Sequence, residues 1–149
     1  MLNKKKATKN DYKLVLDIWE KSAKKTHHFL SDEDFNFYKK IIPEHLDYVN
    51  LYLWEDNDEI IGFSGISEDE LVMLFLDPDF IGKRYGSKIL IELMEMENIN
   101  KIDVNTQNEY AKNFYLNHGF EIESEDEVDG FGKPYPITHL IKTIKTDIF

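Results

Sequence analysis

Leu76-Asp77-Pro78-Asp79-Phe80-Ile81-Gly82-Lys83-Arg84-Tyr85-Gly86-Ser87 stands between two stretches of different periodicity, and that position decides the fold class. Before it, Leu71 to Leu76 is an apolar run too short for a helix and stopped by Asp77-Pro78-Asp79, as a buried central strand would be. After it, Ile89, Leu90, Leu93, Met94 and Met96 form an apolar stripe at helical spacing that ends near Asn98, and Ile102-Asp103-Val104 begins another strand. Strand, loop, helix and strand make a β-α-β unit. The loop enters its helix at the N-terminus, where unpaired amides gather about half a positive charge and glycines let an anion approach the backbone. Lys83, Arg84 and Lys88 concentrate basic charge at the same place. Taken alone, the segment is better read as the start of a surface helix with ordinary basic residues, because short glycine patterns recur by chance.

Working outward, residues 11–29 carry Leu14, Ile18, Trp19, Ala23 and Phe29 at helical spacing, with Asn10 or Asp11 as N-cap. Ser31 with Asp34 is a near match to a capping box, and Phe35, Tyr38, Ile41 and Ile42 repeat helically until Pro43, which predicts a broken or two-part helix. Tyr48 to Trp54 and Glu59 to Ser67 are strand-like and separated by Glu55-Asp56-Asn57-Asp58, a β-hairpin. Beyond the β-α-β unit, Asn108 can cap a helix reaching His118 whose Ala111, Phe114, Tyr115 and His118 share one face, with Gly119 closing it. Taken alone, this too is simply a short, well-capped core helix. Strand-like segments Phe120 to Val128 and Pro136 to Ile144 follow. With no repeat, linker or low-complexity stretch, residues 1–149 read as one domain of class α/β (α+β), a mixed rather than all-parallel sheet with a central β-α-β-α-β stretch and flanking helices.

Composition narrows the function. The 149 residues, 42% hydrophobic and 13% aromatic, are enough for one ordinary core. A formal net charge of -11 repels nucleic acid and anionic membrane surfaces and suits a cationic small molecule, although the same charge also serves solubility. The absence of cysteine removes disulfides, thiolate nucleophiles and cysteine metal sites. Met1 to Lys6 is basic, but Ala7-Thr8-Lys9-Asn10-Asp11 follows where a signal peptide would be apolar, and no run approaches the ~20 apolar residues of a membrane helix. The expectation is a soluble cytoplasmic protein, monomer or homodimer. His27-His28 with Asp32 has no third ligand spaced to close a metal site, so no metal is expected.

Together, in this order, the loop after Leu76 and the stretch Asn105-Thr106-Gln107-Asn108-Glu109-Tyr110-Ala111-Lys112-Asn113-Phe114-Tyr115-Leu116-Asn117-His118-Gly119-Phe120 resemble the GNAT acetyltransferase family. Trp19-Glu20-Lys21-Ser22, Thr26-His27-His28-Phe29-Leu30 and Val128-Asp129 with Gly132-Lys133-Pro134-Tyr135-Pro136 look like the YjaB-like branch of that family, so the likeness spans nearly the whole chain. It implies the GNAT fold, a single mixed and mostly antiparallel sheet, and transfer of an acetyl group from acetyl-CoA to a primary amine of a small molecule or peptide by direct attack. It implies cofactor contacts at Leu74, Phe75, Leu76, Ile81, Gly82, Lys83, Arg84, Tyr85, Gly86, Ser87, Asn105, Asn108, Ala111, Phe114 and Tyr115. The thioester would lie between the strands Leu71 to Leu76 and Lys101 to Asn105, with amides near Leu74 to Leu76 polarising its carbonyl. The acceptor would lie against Trp19, His27, Phe29 and the segment 128–136.

The family pattern in the loop is Arg or Gln, two residues, Gly, one residue, then Gly or Ala; here it reads Ile81-Gly82-Lys83-Arg84-Tyr85-Gly86, and only Gly86 matches. Arg84 in a left-handed conformation would cost ~1–2 kcal/mol, although its guanidinium and the Lys83 ammonium can pair with phosphate. These departures keep open a second reading, a catalytically weak or inactive acyl-CoA-binding module of the same fold. Tyr115 matches the family tyrosine that would protonate the leaving thiolate. Full transfer from a phenol of pKa ~10 to a thiol of ~8.5 is uphill by ~2 kcal/mol, which favours a hydrogen bond. For the base that an ammonium acceptor requires, Glu70, His27, His28 and Asp103 are the candidates.

Overall fold

A computed structural model describes residues 1–142 of the chain. The chain divides into two compact units, Met1–Ile99 and Asn100–Phe149.

The first unit holds strands β1 (Asn3–Lys6), β2 (Asn50–Asp56), β3 (Glu59–Ser67) and β4 (Glu70–Leu76), with helices α1 (Tyr12–Thr26), α2 (Asp32–His45) and α3 (Tyr85–Met96). The strands lie side by side in chain order, each antiparallel to the next. The β2–β3 turn is Asn57-Asp58, both left-handed at φ 51° and 66°, the geometry of a two-residue hairpin whose twist matches its strands. Where β3 passes β4, a Cβ on Gly62 would lie 2.3 Å from the Phe75 carbonyl oxygen, so the close strand approach requires glycine. The register between these strands shifts from Gly65↔Met73 to Ile66↔Leu71, which leaves Val72 as a bulge in β4. The core is built from Val15, Ile18, Trp19 and Ala23 of α1 with Leu46, Leu51, Leu53 and Phe63. Trp54 is fully buried, and its indole N–H donates to Ser64 Oγ at 2.9 Å. Along α3, Ile89, Leu90 and Leu93 are fully buried.

The second unit contains β5 (Lys101–Asn105), α4 (Glu109–Leu116), β6 (Phe120–Asp126) and β7 (Ile137–Lys142). Strand β7 lies between β5 and β6 and is antiparallel to both. Helix α4 packs on β5 and β6, over a core that includes Ile102, Val104, Tyr115, Phe120 and Leu140. Among the described residues of these strands the buried polar side chain is Thr138, which donates to Glu125 Oε1 at 3.2 Å and lies 2.7 Å from the Thr106 hydroxyl.

Several expectations need correction. Pro43 does not break its helix: α2 runs through it to His45. Proline there removes one backbone donor and crowds the Lys39 carbonyl, a cost confined to the last turn before the chain passes into a 3-10 turn at Leu46–Tyr48. Ser31 does cap α2, accepting from the Asp34 N–H at 3.1 Å. Neither Asn10 nor Asp11 caps α1 with its side chain; the Asp11 carboxylate accepts from the Thr8 N–H at 2.9 Å and closes the preceding 3-10 turn. The inward residue near the start of α1 is Val15, while Leu14 is 38% exposed. Met96 is exposed at the end of α3, and α4 stops at Leu116, so His118 lies beyond it. Strand β4 is half-buried except at Leu71 rather than buried throughout. The basic segment Asn3–Lys6 is an edge strand that pairs with β2, a use of lysine that discourages further pairing. Of the strand expected over Pro136 to Ile144, the final two residues lie outside the described residues.

Candidate active site

Asp77 caps a 3-10 turn at Pro78–Phe80 by accepting from the Asp79 N–H at 3.0 Å, and Ile81 leaves it extended at φ −71°, ψ 140°. Gly82 is left-handed at φ +85°, with nothing within 4 Å of the place a Cβ would occupy. Arg84, the N-cap of α3, is also left-handed, at φ 67° and ψ 9°. The amides of Tyr85, Gly86 and Ser87 open the helix, and first-turn amides have no intrahelical acceptor. Lys83 and Lys88 rest over the rings of Phe80 and Tyr85, at 5.5 and 5.9 Å. The Tyr85 hydroxyl donates to Asp56 Oδ2 at 2.7 Å, and the Met1 amino group meets Asp56 Oδ1 at 2.7 Å. Those two donors, the amino group foremost, hold the Asp56 carboxyl below its usual range, and the bond to Asp56 raises the Tyr85 phenol. An open glycine, helix-start amides and three cations within Lys83–Lys88 fit a diphosphate.

On β4, Leu74, Phe75 and Leu76 stand opposite Ser64, Phe63 and Gly62. The Phe75 ring stacks on Phe63 at 5.5 Å and lies 6.1 Å from the His27 ring. His27 ends α1, beside Phe29 at 5.1 Å between ring centres. Burial, with a smaller contribution from His28, lowers the His27 imidazole to about 4, so it is neutral at pH 7. Trp19 is a core residue, 6% exposed and stacked on Phe35 at 5.2 Å, whereas His28 is exposed. His27, Phe29 and Phe75 are thus one aromatic group, which Trp19 does not join.

In the second unit, Asn105 and Asn108 shape the backbone between β5 and α4. Asn105 Oδ1 accepts from the Gln107 N–H at 3.0 Å, and Asn108 Oδ1 accepts from the Ala111 N–H at 3.3 Å. Phe114 packs against Tyr115 and His118, at 5.3 and 4.5 Å between ring centres. Tyr115 is 7% exposed, and burial pushes its phenol well above the ordinary value. Among the described residues no group hydrogen-bonds the Tyr115 hydroxyl, and no fully buried side-chain polar atom lacks a partner, so that oxygen keeps access to solvent. The loop after β6 is drawn in by Asp129, whose Oδ1 accepts from the amides of Phe131 and Lys133 at 2.9 and 3.0 Å. Asp103 is engaged: its Oδ1 lies 2.5 Å from His139 Nδ1, while Asp126 Oδ2 lies 2.6 Å from His139 Nε2.

Three contributors had no distinct signal in the sequence. Thr26 and Asp56 act through contacts made by folding, and His139 is visible only as one alternate position of an exposed strand face.

Residues 47–122 match the acetyltransferase (GNAT) domain, and the chain belongs to the GNAT acetyltransferases, enzymes that draw the acetyl group from acetyl-CoA. Its fold is the mixed α/β GNAT fold. Peptidyl-lysine N-acetyltransferase YjaB of Salmonella typhimurium is 30% identical to it over 142 residues, 95% of this chain and 98% of that protein. YjaB of Escherichia coli is 33% identical over 127 residues, 85% and 86% of the two chains. The solution structure of apo YjaB from Escherichia coli is similar with a TM-score of 0.88 at 29% identity, covering 96% of this chain and 98% of that one. A PaiA N-acetyltransferase from Thermoplasma acidophilum in complex with coenzyme A shares the fold at TM-score 0.69 and 20% identity, over 97% and 99% of the chains. No helix among the described residues is long and apolar enough to cross a membrane.

Proposed function

We propose that residues 1–149 act as one cytoplasmic acetyltransferase domain that acetylates a primary amine by direct attack, with a lysine side chain of a peptide or protein as the acceptor class. The observation that carries this reading is the Tyr115 hydroxyl, attached to a buried ring and satisfied by no group among the described residues. Support for the acceptor class comes from the two peptidyl-lysine acetyltransferases at 30% and 33% identity.

Acetyl-CoA supplies the activated acetyl group. The turn Ile81 to Ser87 grips its diphosphate through backbone amides, Lys83 and Arg84, and amides of Leu74 to Leu76 stabilise charge on the carbonyl oxygen. Asn105, Asn108, Ala111 and Phe114 shape the cofactor side of α4, and His27 and Phe29 face the acceptor, while Trp19 lies in the core on Phe35 and is withdrawn from that role. As the amine nitrogen bonds to the carbonyl carbon and the carbon–sulfur bond breaks, Tyr115 keeps its proton and steadies the thiolate through a hydrogen bond, since burial has made the phenol a still weaker acid; the proton that the nitrogen sheds on forming the amide passes to water, from which the thiolate takes one. His27, titrating near 4, is too weak a base for an alkylammonium of pKa ~10, and Asp103 is held by His139. Glu70 of β4 and the exposed His28 remain as the bases that relay the ammonium proton to solvent before attack.

Release of free CoA thiol is the test, with acetyl-CoA and Nα-acetyl-lysine amide or a lysine peptide. Amine-dependent release that accelerates as pH rises is the expected result. Saturable acetyl-CoA binding with no release above background would instead establish an acyl-CoA-binding module.

A further inference from the structure

The last turn of α1 fixes which nitrogen of His27 carries a proton. The Thr26 hydroxyl donates to the Ser22 carbonyl oxygen at 2.8 Å, and the same hydroxyl oxygen lies 2.7 Å from His27 Nδ1. A threonine hydroxyl has one hydrogen, and here the carbonyl takes it, because a carbonyl can only accept. The short contact to Nδ1 must then be an N–H of the imidazole donating to Oγ1. Burial keeps the ring neutral at pH 7, so Nε2 bears the lone pair. Nε2 makes no hydrogen bond among the described residues. Its backbone is held on both sides: the His27 N–H donates to the Ala23 carbonyl at 2.8 Å, and the His27 carbonyl accepts from the Leu30 N–H at 3.1 Å. The ring lies 5.1 Å from the Phe29 ring and 6.1 Å from the Phe75 ring, and Phe75 belongs to the stretch of β4 whose amides face the thioester carbonyl in the proposed reaction.

We infer that Thr26 is a positioning residue that locks His27 in the Nδ1–H tautomer, and that Nε2 accepts a hydrogen bond from the N–H of the acceptor amine beside Phe75. This deepens the proposed amine acetylation and rests on it. The chemistry selects an amine with a hydrogen to give, and it turns the nitrogen's own lone pair away from the imidazole. The aromatic faces of Phe29 and Phe75 favour an amine on an alkyl chain over a small hydrated one. An alcohol can donate to Nε2 as well, but it lacks the nucleophilic nitrogen. His27 itself gains no proton in the step.

The test joins a tautomer measurement to kinetics. In protein labelled with nitrogen-15 at histidine, long-range proton–nitrogen spectra at pH 7 should show His27 with Nδ1 protonated and Nε2 bare. Addition of Nα-acetyl-lysine amide in the presence of CoA should shift Nε2 and leave Nδ1 in place. Thr26→Val should produce a mixture of tautomers and lower kcat/KM for the amine about tenfold with unchanged acetyl-CoA affinity, whereas Thr26→Ser should behave as wild type. His27→Gln, which places an amide oxygen near the Nε2 position, should retain more activity than His27→Phe. The inference falls if wild-type His27 carries its proton on Nε2, or if Thr26→Val changes the tautomer without changing kcat/KM. It falls too if the amine leaves Nε2 unmoved while thiol release proceeds, an outcome that spares the proposed function. A shift of Nε2 by the amine without thiol release would uphold this contact and overturn the function.

Discussion

The Tyr85 hydroxyl donates to the Asp56 carboxylate at 2.7 Å, so the first residue of α3 is tied to the last residue of β2. These positions are 29 residues apart in the chain. The bond braces the turn that carries the helix-start amides and cations assigned to the cofactor in the proposed function, against a hairpin end that is itself fixed by antiparallel pairing. Tyr85→Phe should therefore leave the fold intact and raise the dissociation constant of CoA by roughly two- to fivefold, with turnover at saturating acetyl-CoA unchanged. Calorimetric titration decides it, and unaltered affinity would show that the turn holds its shape without the brace.

Arg84 opposes two effects. Its left-handed backbone costs ~1–2 kcal/mol for a residue with a Cβ. Glycine there would relieve that strain and lose ~0.5–1 kcal/mol through its freer unfolded chain. Arg84→Gly should thus gain ~0.75 kcal/mol at the midpoints of these ranges and at most ~1.5 kcal/mol, which for a chain of this length raises Tm by about 2 °C and at most about 5 °C. CoA affinity should fall roughly three- to tenfold as a charge-assisted phosphate contact disappears. A variant both more stable and equally tight would remove the guanidinium from the cofactor site.

For Tyr115→Phe, turnover should drop about ten- to a hundredfold while the KM for acetyl-CoA stays within about twofold. The hydroxyl has no partner among the described residues, so Tm should change little. Because burial raises the phenol, activity should show no loss from its ionisation up to pH ~10. Equal turnover in the variant removes Tyr115 from the mechanism.

His139 sits on β7 between Asp103 of β5 and Asp126 of β6, and hydrogen bonds to Asp126 first and Asp103 next raise its pKa above the ordinary 6.5. A folded-state value above the unfolded one means that the stabilisation is complete below about pH 6.5 and disappears as pH rises through the raised value. The groups are partly exposed, which limits the effect to under ~1 kcal/mol, or about 1–3 °C in Tm. Thermal melts of wild type and Asp126→Asn should differ most near pH 6 and converge toward pH 9. A difference constant across that range would assign the loss to something other than the imidazolium.

The sequence was sufficient for the β-α-β unit because its signals are local: a short apolar run ended by Asp77-Pro78, then a stripe at Ile89, Leu90 and Leu93 that the structure buries completely. The hairpin and the caps at Ser31 and Asn108 were legible for the same reason, since each depends on residues within a few positions. Pro43 was misread because a helix-breaking tendency of one residue yields to the packing of Phe35, Tyr38 and Ile42 against the core. The lysines of β1 were missed because charge on an edge strand carries no hydrophobic period to detect.

By itself, the order of residues determined the class of the protein, and through its resemblance to the family it marked the turn after Pro78 and Tyr115 as the candidates for cofactor binding and catalysis. Only tertiary structure decided that Trp19 is core, that Asp56 braces Tyr85, that Asp103 belongs to His139, and which nitrogen of His27 holds its lone pair free. Hydrogen-bond partners and solvent exposure are relations in space, and most of these join residues that the chain keeps tens of positions apart. Thr26 and His27 are adjacent, yet even their contact acquires a direction only because the helix turns the Ser22 carbonyl toward the hydroxyl.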